Sequence, residues 1–174
     1  METIDSKQLT VVVNLITDNK DKEQDIVQKA LENALIKSKE VFETIGYFQS
    51  EFEKDETRSI DFYVIAQDRL TGCYMYLSPI VSVLKAVVLN RYSKFFHHTK
   101  LEFEKNPPQS VNAKGILVNE KFVTAPVEKE ADNFVSFERY VLAAFSGFLD
   151  SCLMGIQTCR SRIKEQNEEM GMNS

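Results

Sequence analysis

The strongest constraint in the sequence is a long run of apolar residues at helical spacing, from about Pro126 to about Gln166. Phenylalanine, valine, isoleucine and cysteine recur there every three or four positions, and a mean spacing close to 3.6 residues predicts one straight amphipathic helix. Acidic residues follow its start and basic residues precede its end, so both ends match the helix dipole. The apolar arc covers nearly half of the helix, and an arc that wide needs more than one neighbour.

A row of small residues lies along this predicted helix at intervals of four positions, namely Ala143, Gly147, Ser151 and Gly155. Because an interior glycine costs a helix about 1 kcal/mol relative to alanine, two glycines in one helix favour a packing reason. Small side chains let another backbone approach closely. We therefore interpret the row as a candidate interface with another part of the chain or with a second copy.

The N-terminal part of the sequence predicts a strand and then a helix. Residues Leu9–Ile16 are apolar and β-branched, which favours a buried first strand, with a short helix as the alternative. Apolar residues then recur every three or four positions from about 21 to 52, with lysine and glutamate between them. This pattern predicts a long amphipathic helix, bent at Gly46.

Two short runs rich in aromatic or β-branched residues, Ile60–Gln67 and Cys73–Leu77, flank a loop that ends in glycine. Such an arrangement is typical of a β-hairpin, here near 60–77. Strand alternation would place Tyr74 and Tyr76 on one face of the hairpin. Either a helix of the chain covers that face, or it is an aromatic patch that receives a peptide or another subunit. We count both tyrosines among the interface candidates.

The remaining segments complete an α+β pattern. Ser78 and Pro79 supply an N-cap and a first-turn proline for a helix over about 79–97, and alternating residues predict strands near 101–124. The chain is then a single α+β domain over residues 1–174, with 168–174 a frayed tail. Its small antiparallel sheet, made by the hairpin near 60–77 and the strands near 101–124, is packed by two or three long helices at about 21–52, 79–97 and 126–166. In outline this order resembles the secretion-chaperone-like fold, from which the long final helix departs.

Composition and charge narrow the functional classes. A net charge of −5 and a pI near 5.2 argue against a nucleic-acid surface, which needs clustered Lys and Arg to contact phosphates. Lys85 and Asp150 interrupt the two most apolar stretches, which also fall short of the ~20 residues that a membrane span needs. We interpret both stretches as core, and expect no membrane partner. The N-terminus carries no secretory signal, so we expect a cytoplasmic protein.

Few residues in the sequence are candidates for catalysis or for metal and cofactor binding. The adjacent His97 and His98 point about 100° apart on a helix and cannot easily share one metal ion. Glu40 and Glu43 have the spacing of helical carboxylate sites but lack a matching pair, so we interpret them as a solvated face. Phosphate-binding glycine loops are absent from the sequence. We expect no metal, no cofactor and no assigned catalytic residue.

The sequence therefore favours a non-enzymatic role. Our leading hypothesis is a protein–protein interaction or assembly subunit, a chaperone-like adaptor or structural component, that binds a protein partner or a second copy through apolar helix surfaces. One alternative is a domain that holds a small apolar ligand between sheet and helices. A further alternative is an enzyme that uses Cys73 or the His97–His98 pair. Cys152 and Cys159 fall in the apolar arc, where a buried thiol is neutral and inert.

Overall fold

A computed structural model describes residues 20–54 and 58–171, with side chains described from residue 25 onward. Helices make up 82% of these residues, and the only sheet among them has two short antiparallel strands. The described chain is therefore mostly helical, and the α+β class holds only loosely. The strand predicted at Leu9–Ile16 lies outside the described residues.

The described elements are five helices and two strands in the order α-α-α-β-β-α-α. They are α1 (Lys20–Lys37), α2 (Lys39–Phe52), α3 (Ile60–Lys105), β1 (Gln109–Val111), β2 (Leu117–Asn119), α4 (Thr124–Phe134) and α5 (Ser136–Glu169). Two of the helices, α3 and α5, are long and apolar enough to cross a membrane by length and composition. Core helices of soluble proteins pass the same test, so the expectation of no membrane partner stays a prediction.

Backbone contacts divide the chain into two compact units. The first unit takes in the described parts of Met1–Val83 and Val141–Ser174, and the second is Leu84–Tyr140. One boundary lies within α3, between Val83 and Leu84, and the other lies within α5, between Tyr140 and Val141. The prediction of a single domain over 1–174 stays a prediction.

The core of the first unit is built by apolar stripes on its helices. Helix α2 buries Val41, Ile45 and Phe48, which are spaced by four and three positions as one face of a helix requires. Phe42, one position along from Val41, stacks on Phe148 of α5 with ring centroids 4.1 Å apart. The remaining fully buried residues of this core are Ala66, Leu70, Leu77, Val141, Phe145, Cys152 and Cys159. The apolar register predicted for the final helix is confirmed at Val141, Phe145, Cys152, Ile156 and Cys159, whereas the apolar positions Phe137 and Leu153 are 36% and 40% exposed.

The hairpin predicted near 60–77 is wrong, because these residues form the first third of α3. The buried positions Tyr63, Ala66, Leu70, Cys73 and Leu77 recur every three or four residues, which is a helical period. The aromatic and β-branched content favoured strands, but β-propensity reflects packing context more than backbone preference. In residues 60–77 the burial of one helical face outweighs the strand preference of the side chains.

Pro79 lies inside α3 and does not begin a helix, so the predicted start at about 79 is wrong. An interior proline removes one backbone hydrogen bond and costs a helix about 3 kcal/mol. Leu77, Ile80 and Val81 around it are almost completely buried. Their burial offsets the cost and keeps the helix continuous through the proline.

The two other predicted helices are each interrupted once. The helix predicted over 21–52 is divided into α1 and α2 at Ser38, where φ is −89° and ψ is 0°, and it continues through Gly46. The helix predicted over 126–166 breaks at Val135, the single residue that separates α4 from α5 in the chain. Val135 is completely buried. Helix α5 continues to Glu169, past the predicted end, and residues 172–174 of the predicted frayed tail lie outside the described part.

The second unit contains the small sheet. Strands β1 and β2 pair antiparallel, with Ser110 opposite Val118 and Val111 opposite Leu117. In the turn between them the Asn112 side-chain oxygen accepts the backbone N–H groups of Lys114 and Ile116, at 2.9 and 3.1 Å. The predicted strands near 101–124 are confirmed in part, since residues up to Lys105 remain helical.

A buried ion pair lies in the same unit. The Arg91 Nε and a Glu138 carboxylate oxygen are 2.8 Å apart, and each side chain is only 2% exposed. The Arg91 guanidinium also lies 4.8 Å from the centre of the Phe134 ring, which stacks on Phe95. Such a pair is costly to bury and much more costly to break. It therefore fixes α3 against the start of α5 within this unit.

Candidate docking groove

An open groove lies between α2 and the beginning of α3 in the first unit. Its volume is about 480 Å³, and it is lined by Glu40, Glu43, Thr44, Tyr47, Phe48, Ile65 and Arg69. The groove follows from two helical stripes. On α2 the lining residues recur every three or four positions, beside the buried stripe of Val41 and Ile45, and on α3 Ile65 and Arg69 are four apart.

Three of the residues that line the groove have aromatic or apolar side chains. Phe48 is almost buried, while Tyr47 and Ile65 are 56% and 57% exposed. The rings of Tyr47 and Phe48 meet edge to face with centroids 5.1 Å apart. Tyrosine with an apolar body and a polar tip is common in surfaces that bind proteins.

Charged groups line the two walls of the groove separately. Glu40 and Glu43 belong to α2, and Arg69 belongs to α3. Glu43 forms an exposed pair with Lys39 at 3.6 Å. In the part of the chain that the structure describes, Glu40 and Arg69 form no ion pair. The Thr44 hydroxyl donates to the Glu40 backbone carbonyl at 2.8 Å, so this polar group is already satisfied.

No groove is predicted from the sequence when residues 60–77 are assigned to strands. Ile65 and Arg69 share a face on a helix but not within a short strand that ends at Gln67. The helical spacing of Tyr63, Ala66 and Leu70 was the signal that would have found it. Glu40 and Glu43 were recognised only as a solvated face.

The small-residue row on α5 divides into two parts. A Cβ atom built on Gly155 would lie 2.6 Å from Leu70 Cδ1 and 3.3 Å from Phe52 Cε2. Gly155 therefore permits close approach of α3 and α2 to α5 inside the first unit. One member of the predicted interface is thus explained by packing within the chain.

The other members of the row are accessible. Ala143 and Gly147 are exposed, and a Cβ atom on Gly147 would meet no described atom within 4 Å. Ser151 is half-buried, and its hydroxyl donates to the Gly147 carbonyl at 2.9 Å. Packing among the described residues does not account for a glycine at 147. The role of this part of the row as an interface stays a prediction.

Tyr74 and Tyr76 do not form the predicted patch. Both are half-buried, but residues two apart on a helix point about 200° apart around its axis. Since α3 is helical there, the two rings face different sides of it. The shared face was a consequence of the wrong strand assignment.

The three cysteines are buried and reduced. Burial raises the pKa of the Cys152 thiol to about 12 and that of Cys159 to about 11, and the neighbouring Cys73 adds to the effect at Cys152. Burial also raises the pKa of Cys73, although the Arg69 charge opposes the shift. Because the thiolate is the reactive form, these thiols are poor nucleophiles at neutral pH.

The structure groups no set of His, Cys, Asp and Glu that could hold a metal ion among residues 20–54 and 58–171. His97 and His98 are both exposed on α3.

Comparisons with family profiles, with curated proteins and with solved structures gave no match.

Proposed function

We propose that this protein is a non-enzymatic interaction or assembly subunit, an adaptor or structural component that works in the cytoplasm and binds another protein through apolar helix surfaces. The docking surface is the groove between α2 and α3. The observation that carries the proposal is the pair Tyr47 and Ile65, each more than half exposed beside the apolar Phe48.

The physical reason is that large apolar side chains gain most from burial. Removing apolar area from water stabilises a contact by about 25 cal/mol per Å². Tyrosine is also enriched among the residues that dominate binding energy. Tyr47 and Ile65 would lose most of their exposed area when a partner helix enters the groove.

A small apolar ligand is the second candidate, since the groove volume of about 480 Å³ lies within the range of ligand pockets. Ligand pockets, however, bury most of their ligand's surface. Exposure of both side walls at Tyr47 and Ile65 would leave a small molecule largely in water. The geometry thus favours a protein segment as the occupant.

The experiment that tests the proposal measures the native mass of the full chain. Tagged protein in gently prepared cell extract is sedimented and detected by antibody, and purified protein is measured by light scattering at low and high concentration. We expect an assembly heavier than the 20.0 kDa chain in at least one of the two samples. We expect Ile65→Asp to shift that assembly toward 20.0 kDa, because a carboxylate would have to be buried in the contact.

The matched control is Met75→Asp, since Met75 is 71% exposed on the same helix but does not line the groove. Thermal unfolding of both variants checks that the fold is intact. A chain that runs at 20.0 kDa in both samples would overturn the proposed function. Equal effects of the two substitutions would overturn the groove as the docking surface.

A further inference from the structure

We propose that the partner segment is an amphipathic helix whose apolar stripe carries basic residues along the side that faces Glu40 and Glu43, and an acidic residue on the side that faces Arg69. This inference rests on the proposed function and specifies the chemistry of the partner. It follows from the separation of charge between the two walls of the groove.

The geometry of the groove walls suits a helical partner. Both walls are helices, so the groove has the form that receives a third helix through residues at i, i+3, i+4 and i+7. The side chains of Tyr47, Phe48 and Ile65 would receive the apolar stripe of that helix. Glu40 and Glu43 would then face it from α2, and Arg69 would face it from α3.

Covering the charged residues of the groove without supplying partners for them would oppose binding. Glu40 and Arg69 have no ion pair among the described residues, and Glu43 is paired only with the exposed Lys39. A bound helix would displace water from the rim of the groove. A carboxylate or guanidinium that loses water without gaining a partner opposes binding.

The charges of the groove select the charge of the residues that flank the partner's apolar stripe. A helix flanked by carboxylates on the α2 side would repel Glu40 and Glu43, and like charges at a contact suppress binding. A helix flanked by lysine or arginine would pair with them. The net charge of −5 adds a weaker general attraction for basic segments, which the experiment must separate from the groove.

The probes are two synthetic helices of equal length with the same leucine stripe, one flanked by lysines on one side and the other by glutamates. Binding of each to the full chain is measured by fluorescence anisotropy. We expect the lysine helix to bind more tightly than the glutamate helix. We expect Glu40→Lys with Glu43→Lys to weaken the lysine helix on the order of tenfold and to strengthen the glutamate helix.

The control variant carries Glu32→Lys with Glu53→Lys, which changes the net charge equally on exposed residues of the first unit that do not line the groove. We expect this control to change the affinity for the lysine helix much less. At about 1 M salt, where the Debye length is ~3 Å, the difference between the two probes should disappear while leucine-dependent binding remains.

Equal weakening by the groove and control variants would overturn the inference, because the attraction would then be general. Absence of binding by the lysine helix would overturn it as well. In either case a shift in native mass caused by Ile65→Asp would leave the proposed function standing. A chain that runs at 20.0 kDa in both samples would remove the function itself, so the two failures are distinguishable.

Discussion

Alanine in place of each of two glycines on α5 should change stability in opposite directions. At Gly147 a Cβ atom would meet no described atom within 4 Å, so Gly147→Ala gains helix propensity without a clash. The expected gain is about 1 kcal/mol. At Gly155 the same atom would lie 2.6 Å from Leu70 Cδ1, well inside van der Waals contact.

Relief of the clash at Gly155 requires the Leu70 side chain to shift. Leu70 is only 1% exposed, and Phe52 Cε2 would lie 3.3 Å from the added atom, so the space for that shift is small. Overpacking of this kind costs about 1–3 kcal/mol, from which the propensity gain of about 1 kcal/mol is subtracted. Gly155→Ala is therefore expected to destabilise by about 1 kcal/mol, which places the two variants about 2 kcal/mol apart.

The assay is urea unfolding of the full chain followed by far-ultraviolet circular dichroism, a signal that a mostly helical protein gives strongly. In thermal unfolding a gap of about 2 kcal/mol corresponds to roughly 4–8 °C for a chain of this size. Both variants carry the same chemical change on the same helix, so each controls for the other. Equal stabilities, or a more stable Gly155→Ala, would refute the assignment of Gly155 to close packing.

Two further predictions concern buried polar groups. Glu138→Ala removes a carboxylate that lies 2.8 Å from the Arg91 Nε, with both side chains 2% exposed, so we expect a loss of up to about 3–5 kcal/mol in urea unfolding. Asp132→Ala removes an exposed ion pair with Arg139 and should lower the free energy of unfolding by about 1 kcal/mol or less. Burial raises the pKa of Cys152 from 9.0 to about 12, so the folded state holds a proton that the unfolded state releases. Stability should then fall as pH rises from about 9 toward about 12, and Cys152→Ala should flatten that fall.

Elements with a long repeating pattern of apolar residues were predicted correctly from the sequence more often than elements with a short one. The apolar steps of the final helix were confirmed at Val141, Phe145 and Cys152 because a period repeated over many turns leaves no other face to bury. The break at Val135 was missed because one residue of altered φ and ψ leaves the pattern on either side unchanged. Ser38 escaped notice for the same reason.

Residues 60–77 show where local propensity misleads. Tyrosine, valine and isoleucine favoured strands and a glycine favoured a turn, yet α3 passes through Gly72 without a special conformation. The buried stripe from Tyr63 to Leu77 depends on helices distant in sequence, which a local reading does not see. The groove was not predicted either, since a groove between two helices can be found only when both helices are recognised.

Of the two surfaces proposed as contacts, we expect the groove to contribute more binding energy than the small-residue row. The accessible part of the small-residue row offers Ala143 and Gly147, which bury little area when a second chain approaches. Binding energy concentrates in large side chains that enter concave surfaces, and the groove supplies Tyr47 and Ile65 around such a surface. We therefore expect Gly147 to permit close approach of a second chain but to add little affinity of its own. If both surfaces act in one assembly, Ile65→Asp must weaken it more than Gly147→Ala does.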